Sequence, residues 1–228
     1  MVRIVTQRAL MMAMVVAGTA AMAFAQEQHR AYAGALVGVS TLSADATSIT
    51  SPPDARISLY KPENGQALNV LAGIDLTRFL TAQGNYVWNR NDVALFSSFL
   101  SPSGGGFYEQ ARESSQHAAV ADLLLYFRAR GSGVRPYLST GLGVVRFASG
   151  TPRRTLENSA SAPRGDITAT RVALRVAVGI DLAVTRRWAV RYSFSETICG
   201  NPISAQLVPP GQRGLANFQN LFGFVWRP

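Results

Sequence analysis

Few residues in this chain are of types that do chemistry, and their spacing narrows the field further. There are two histidines, His29 and His117, and one cysteine, Cys199. Acyl-ester hydrolysis needs a nucleophile, a base and an orienting acid within mutual hydrogen-bond reach. Ser114 and Ser115 precede His117, but no second histidine or acid at strand spacing completes a relay. A lone cysteine makes no internal disulfide and no cysteine zinc cluster. No metal-ligand set and no cofactor motif is present, so no catalytic residue is assigned. Gly104-Gly105-Gly106 opens no helix and reads as a flexible loop, not a phosphate cradle. What remains is a set of charges, Asp75, Asp122, Arg175, Asp181 and Arg191, each in the polar phase of an alternating segment. Folding a hairpin around Arg186 sets Asp181 opposite Arg191, which predicts an interior ion pair. A gate or proton path is one use for such a network. A structural network that neutralises enclosed charge is the favoured one, because buried charges persist only when paired.

These charges sit in a chain of unusual composition. Of its 228 residues only 15% are charged and 47% are hydrophobic, against a usual charged share of about 25%. The net charge of +9 is carried almost wholly by arginine, with Lys61 the single lysine. The arginines are scattered rather than clustered, which argues against nucleic acid and fits contact with anionic lipid or lipopolysaccharide phosphates better. Arg3 and Arg8, the apolar run Ala9 to Phe24 and the small-x-small triplet Ala23-Phe24-Ala25 read as a cleavable signal over residues 1–25. Residues 26–228 are then the exported domain. After residue 26 no apolar run approaches the ~18 residues of a transmembrane helix.

The elements that must position the charges alternate with period two. Val172, Leu174, Val176, Val178, Ile180 and Leu182 lie on one face of 171–182, and Arg171, Ala173, Arg175, Ala177, Gly179 and Asp181 on the other. A helix would mix these sets and a strand separates them. The same pattern predicts strands over 33–42, 67–76, 79–89, 115–128, 135–147, 187–195 and 218–227. Arg146 breaks the apolar phase of its segment and is assigned to a rim. Three connections are short, around Thr77-Arg78, over Ala129 to Val134 and around Thr185-Arg186. Four are long: 43–66, 90–114, 148–168 and 198–216.

Eight strands of about 9–11 residues with alternating short and long connections predict an all-β fold, an eight-stranded antiparallel up-and-down transmembrane β-barrel. In lipid every backbone polar group needs a protein partner, so strands can span only when closed. Tyr86, Trp88 and Phe218 fall near the long-loop ends, and Phe127, Trp188 and Trp226 near the short-turn ends. They are assigned to two aromatic girdles at the headgroups. In the third long connection Arg153, Arg154 and Arg164 are candidates for binding lipopolysaccharide or another surface ligand.

Three runs carry a family resemblance. Arg135-Pro136-Tyr137-Leu138-Ser139-Thr140-Gly141-Leu142-Gly143 resembles one strand of outer-membrane-protein-A-type barrel domains. Val178 to Tyr192, through Asp181, Arg187 and Trp188, resembles a hairpin of that family, and Phe222-Gly223-Phe224-Val225-Trp226 its aromatic last strand. The resemblance covers roughly 33–227 and implies residence in the outer membrane of a Gram-negative cell. The partners it implies are outer-membrane lipid and the barrel insertion machinery. Arg227-Pro228 follow Trp226 where family members end on an aromatic residue. The peptidoglycan-binding domain of some relatives is not carried over.

Three functions remain in competition. The first is a non-catalytic barrel serving envelope integrity or surface recognition through its long loops. The second is a narrow, porin-like pore, disfavoured because eight strands leave a filled interior. The third is a soluble, lipocalin-like barrel whose aliphatic phase faces inward around an apolar ligand.

Overall fold

A computed structural model describes residues 31–42, 45–51, 54–62, 64–203, 207 and 214–228, with the side chains of 45–51, 54–55 and 59–62 left aside. The expected signal and its cleavage site, and His29, lie outside the described residues. Among the described residues eleven strands form one antiparallel sheet: β1 (Ala31–Leu42), β2 (Asp45–Ser51), β3 (Asp54–Pro62), β4 (Gly65–Asp75), β5 (Leu80–Ser101), β6 (Gly104–Tyr126), β7 (Val134–Ser149), β8 (Arg154–Asn158), β9 (Ile167–Ala183), β10 (Trp188–Gly200) and β11 (Gly214–Trp226). Eight of them close a ring in the order β1-β4-β5-β6-β7-β9-β10-β11, with β11 returning to β1. The fold is therefore the eight-stranded antiparallel up-and-down barrel that the alternation predicts. No helix among the described residues is long and apolar enough to cross a membrane.

The orientation of the two phases decides between a membrane barrel and a lipocalin-like one. Val172 is 74% exposed and Val178 50%, whereas Arg175 and Asp181 in the other phase of the same strand are each 2% exposed. Arg191 is fully buried while its neighbour Tyr192 is exposed. The aliphatic phase looks out and the charged phase is enclosed. That arrangement suits hydrocarbon outside and contradicts an apolar cavity inside.

Two of the short turns are built alike. In Leu76-Thr77-Arg78-Phe79 the Thr77 hydroxyl accepts from the amides of Phe79 at 3.2 Å and Leu80 at 2.9 Å. In Val184-Thr185-Arg186-Arg187 the Thr185 hydroxyl accepts from Arg187 at 3.2 Å and Trp188 at 3.0 Å. A short hydroxyl side chain that satisfies amides two and three residues on is a local turn device. It fixes the register of each hairpin.

The long connections depart from expectation. Residues 90–114 are not a loop. β5 continues to Ser101 and β6 starts at Gly104, so Gly104-Gly105-Gly106 opens a strand rather than forming a flexible loop. The reason lies in the inward phase of this extension: Val93 and Leu95 face in beside Tyr108 and bury in an apolar cluster at the mouth. Residues 43–66 contain the β2–β3 hairpin, which adds to the outer half of β5, and 148–168 contain β8, which adds to β6. The barrel thus raises a five-stranded sheet, β2-β3-β5-β6-β8, on one side of its external end.

The interior also departs from a purely small or polar filling. Leu36, Leu71, Leu221 and Val225 pack with Tyr32 and Ala67 on the β11-β1-β4 wall. Val87, Ala118, Val120, Val145 and Ala173 pack together on the β5-β6-β7-β9 wall. An eight-stranded ring encloses space that side chains can fill, and here they do.

The outward phase generates a test. Val176→Arg or Val178→Arg should destabilise the barrel by about 2–4 kcal/mol at mid-depth in a bilayer. The measurement is the urea midpoint of the protein folded into vesicles; an unchanged midpoint would mean that this face does not meet hydrocarbon.

Candidate functional site

The internal end of the barrel is closed by charge. Strand pairing sets Arg191 of β10 directly opposite Asp181 of β9. The Arg191 guanidinium donates from Nε to Asp181 Oδ1 at 2.6 Å and from Nη2 to Oδ2 at 2.9 Å. It also donates to Gln83 Oε1 at 2.6 Å and to Tyr126 Oη at 2.7 Å. Tyr126 in turn donates to Asp181 Oδ2 at 3.0 Å, and Tyr32 donates to Gln83 Oε1 at 2.7 Å. Arg227, beyond the end of β11, adds a second cation to Asp181 at 3.0 Å. Rings complete the enclosure. The guanidinium carbon of Arg191 lies 5.0 Å from the Tyr137 ring centre and 5.5 Å from that of Tyr32, and that of Arg135 lies 3.7 Å from Tyr126.

Two glycines make room for those tyrosines. Tyr32 sits opposite Gly73 and Tyr137 opposite Gly179. A Cβ at Gly73 would lie 2.5 Å from the Tyr32 ring, and one at Gly179 would lie 2.4 Å from the Tyr137 ring. Each ring lies over its glycine and reaches the barrel axis, a known way to fill an inward gap in a sheet.

The network continues up the interior. Gln83 donates to Asn85 at 2.8 Å, Asn85 donates to Asp122 at 3.0 Å, and Arg175 pairs with Asp122. Asp75 accepts from Thr81 at 2.8 Å and pairs with Arg130 of the β6–β7 turn at 3.0 Å. Of the five interior charges expected from sequence, Arg191, Asp181, Asp122 and Arg175 are linked through Gln83 and Asn85, and Asp75 is held by Thr81 and Arg130. Sequence reasoning missed Tyr32, Gln83, Tyr126, Tyr137, Arg135 and Arg227. Most of them share the inward phase of their strands, which is the signal that could have found them.

The external mouth is closed by apolar contact. Leu42, Val93, Leu95, Tyr108, Phe147, Ile167, Ile203, Leu207 and Leu215 form its largest buried cluster, joined by Ala162. Beside it Arg112, 2% exposed, donates to three backbone carbonyls of the third connection: Gly150 at 3.1 Å, Gly165 at 2.8 Å and Pro163. The arginine thereby clasps 150–165 against the mouth. Burial lowers the Arg112 pKa from its ordinary value, and the Asp166 charge opposes that shift. Burial likewise raises the Tyr108 pKa.

The other expected residues fall as follows. Trp188 and Trp226 are exposed, face outward at the internal end and lie opposite one another. Phe127 is exposed just past β6 at the same end. Tyr86 and Trp88 face outward, midway along an extended β5, and Phe218 stacks on Phe194 at 6.3 Å. Arg153 pairs with Asp92 at 3.0 Å and with Glu113, which also holds Arg90 at 2.8 Å. Arg164 pairs with Glu157 at 3.4 Å, and Arg154 is exposed on β8. Two of the three loop arginines therefore have local counter-charges. Among the described residues no cluster of three or more His, Cys, Asp or Glu could hold a metal ion.

A closed ring with lipid-facing aliphatics and an enclosed charge network defines a bacterial outer-membrane β-barrel. The family model described as outer membrane protein beta-barrel domain matches residues 11–220, and the chain belongs to that family. It resides in the bacterial outer membrane. No curated protein sequence matches it. Similar solved structures include Neisserial surface protein A, 16% identical over 87% of this chain and 97% of that one, with a TM-score of 0.52. OprG from Pseudomonas aeruginosa is 14% identical over 87% and 96%, with a TM-score of 0.45. Ail of Yersinia pestis is 8% identical over 86% and 99%, with a TM-score of 0.43.

The network predicts an asymmetry. Asp181→Asn leaves Arg191 and Arg227 enclosed without their carboxylate and should cost about 3–5 kcal/mol, whereas Asp181→Leu with Arg191→Met and Arg227→Met removes all three charges and should recover much of that loss. Urea midpoints in vesicles check this; equal loss in both variants would show that the ion pair is not the relevant interaction.

Proposed function

We propose that this protein is a non-catalytic, non-conducting barrel that acts through the sheet and loops it raises outside the membrane, in surface recognition. The observation that carries the reading is closure at both ends. Guanidinium, phenol and carboxylate groups fill the internal end, and an apolar cluster clasped by Arg112 fills the mouth. A solute path would need a continuous wetted route, and this packing opposes one.

Outside the wall the external sheet offers a surface of different character. Ile57, Leu100, Phe107 and Leu156 share its outward face across β3, β5, β6 and β8, and Leu100 is 64% exposed. Exposed apolar side chains grouped on one face suit contact with another molecule. His117 bonds Tyr86 and faces Arg146 rather than an acid, which favours binding over acyl transfer.

Planar-bilayer recording tests the closed interior. The expected result is no steady single-channel current, and a stable conductance would overturn the reading. Replacing 94–109 by a short turn should leave heat-modifiable gel mobility intact and abolish binding of expressing cells to immobilised glycan and protein arrays. Undiminished binding would place recognition elsewhere.

A further inference from the structure

Arg146 and His117 interrupt the apolar outer face of their strands, and the role proposed for the external sheet does not use them. They are directly opposed, and they belong to a row of outward residues across four strands: Trp88, His117, Arg146 and Thr170. Tyr86 Oη lies 2.7 Å from His117 Nδ1. When the phenol donates to Nδ1, the ring carries its own proton on Nε2 and presents that N–H as a donor. Ser115, two residues along β6, shares the same outward face. A guanidinium, an imidazole N–H and two hydroxyls thus share the outward face of one patch of wall.

The outward carboxylates of β5 and β6 nearest this patch are already engaged. Asp92 holds Arg153, and Glu113 holds Arg90 and Arg153. Among the described residues Arg146 makes no ion pair. Depth fits an interface. A tilted strand crosses hydrocarbon in about 9–11 residues, and Arg146 lies twelve residues beyond Val134 at the internal start of β7. A lipid-facing arginine is tolerated near the headgroups and not at the midplane.

We propose that Arg146 and His117, with Ser115 and Thr170, bind the phosphate of an outer-leaflet lipid headgroup. Arginine offers phosphate two parallel N–H donors, and His117 Nε2 adds a third. A free phosphate has the same donor requirements. The lipid is favoured because the row one step further in is Tyr86, Ala119, Val144 and Val172. Val144 and Val172 are exposed, and acyl chains attached to the bound headgroup would cover them. Trp88 beside His117 sits where an indole marks the headgroup boundary. The inference rests on the orientation of the wall and not on the proposed role of the external sheet.

Three ligands separate the sources of phosphate: a bisphosphorylated lipid A, the same lipid dephosphorylated, and inorganic phosphate. Each is titrated into the detergent-extracted protein carrying Trp188→Phe and Trp226→Phe, so that the emission of Trp88 alone is read. The expected result is a saturable change with the phosphorylated lipid. The dissociation constant should rise at least about tenfold for the dephosphorylated lipid and for Arg146→Ala, as loss of a charge-assisted contact implies. Arg187→Ala, at the opposite end, should bind as the parent does. Heat-modifiable mobility confirms that each variant is folded, and Arg146→Gln substitutes if the alanine variant is not. Equal affinity for the dephosphorylated lipid, unchanged binding by the folded Arg146 variant, or no emission change with any ligand would overturn the proposal. Saturation by inorganic phosphate at the affinity of the lipid would assign the site to a soluble anion and overturn the lipid headgroup.

Discussion

Backbone hydrogen bonding in a medium without water is the constraint on which this structure depends. Each N–H and C=O left unpaired in hydrocarbon costs several kcal/mol, so every strand at membrane depth needs a partner on both edges. The ring from β1 round to β11 supplies them, and the β1–β11 pairing leaves no seam. Strands with one open edge, β2 and β8, occur only at the external end, where the edge of β2 extends from β3 and that of β8 from β6. The division between closed wall and open sheet therefore marks where the solvent changes.

Closure in turn dictates what each phase of a strand must be. Period two sends alternate residues to lipid and to the interior, and a slip of one residue would exchange the two sets. Asp181 and Arg191 make such a slip expensive, since it would carry both ions into hydrocarbon. Arg191 also ties β10 to more than its neighbour, because its contacts come from β9, β5 and β6, with Tyr32 of β1 joined through Gln83. A guanidinium suits this role better than an ammonium, because its fork presents five donors in fixed directions. The interior ion pair thus acts on register and on cross-barrel bracing at once. Its net contribution to stability depends on how completely those donors are matched.

The wall was legible because lipid imposes its pattern residue by residue. All eight ring strands, and the opposition of Asp181 to Arg191, follow from alternation and turn position alone. The extension of β5 and β6 was not legible, because residues 90–114 are rich in polar and glycine residues that no bilayer selects. Their strand character comes from Val93, Leu95 and Tyr108 packing on loops far away in sequence. Tyr32 and Tyr137 were hidden for a different reason: an aromatic residue in a barrel strand is expected at the lipid border, and only the facing glycine shows that it turns inward. Arg153 and Arg164 looked available in the sequence, and their carboxylate partners come from β5, β6 and β8. Single-chain periodicity reports which face a residue takes and says nothing of its long-range partner.

The two ends of the barrel are closed by opposite chemistry, and loop length explains why. The internal turns around Thr77, Ser132 and Thr185 are too short to fold over the opening. Closure there must come from long side chains already on the wall, and arginine and tyrosine have the reach. Their polar ends then require one another. The external connections are long enough to fold back, so Ala162 and Ile203 can bring apolar surface into the mouth. Burying that surface needs no matched partners, but it does require that the loop backbone be held. Arg112 does this by taking the carbonyls of Gly150, Pro163 and Gly165. The barrel is braced by charge below and by packing above, and the sheet that rises from β5 and β6 is continuous with that wall because its central strands are the wall strands themselves.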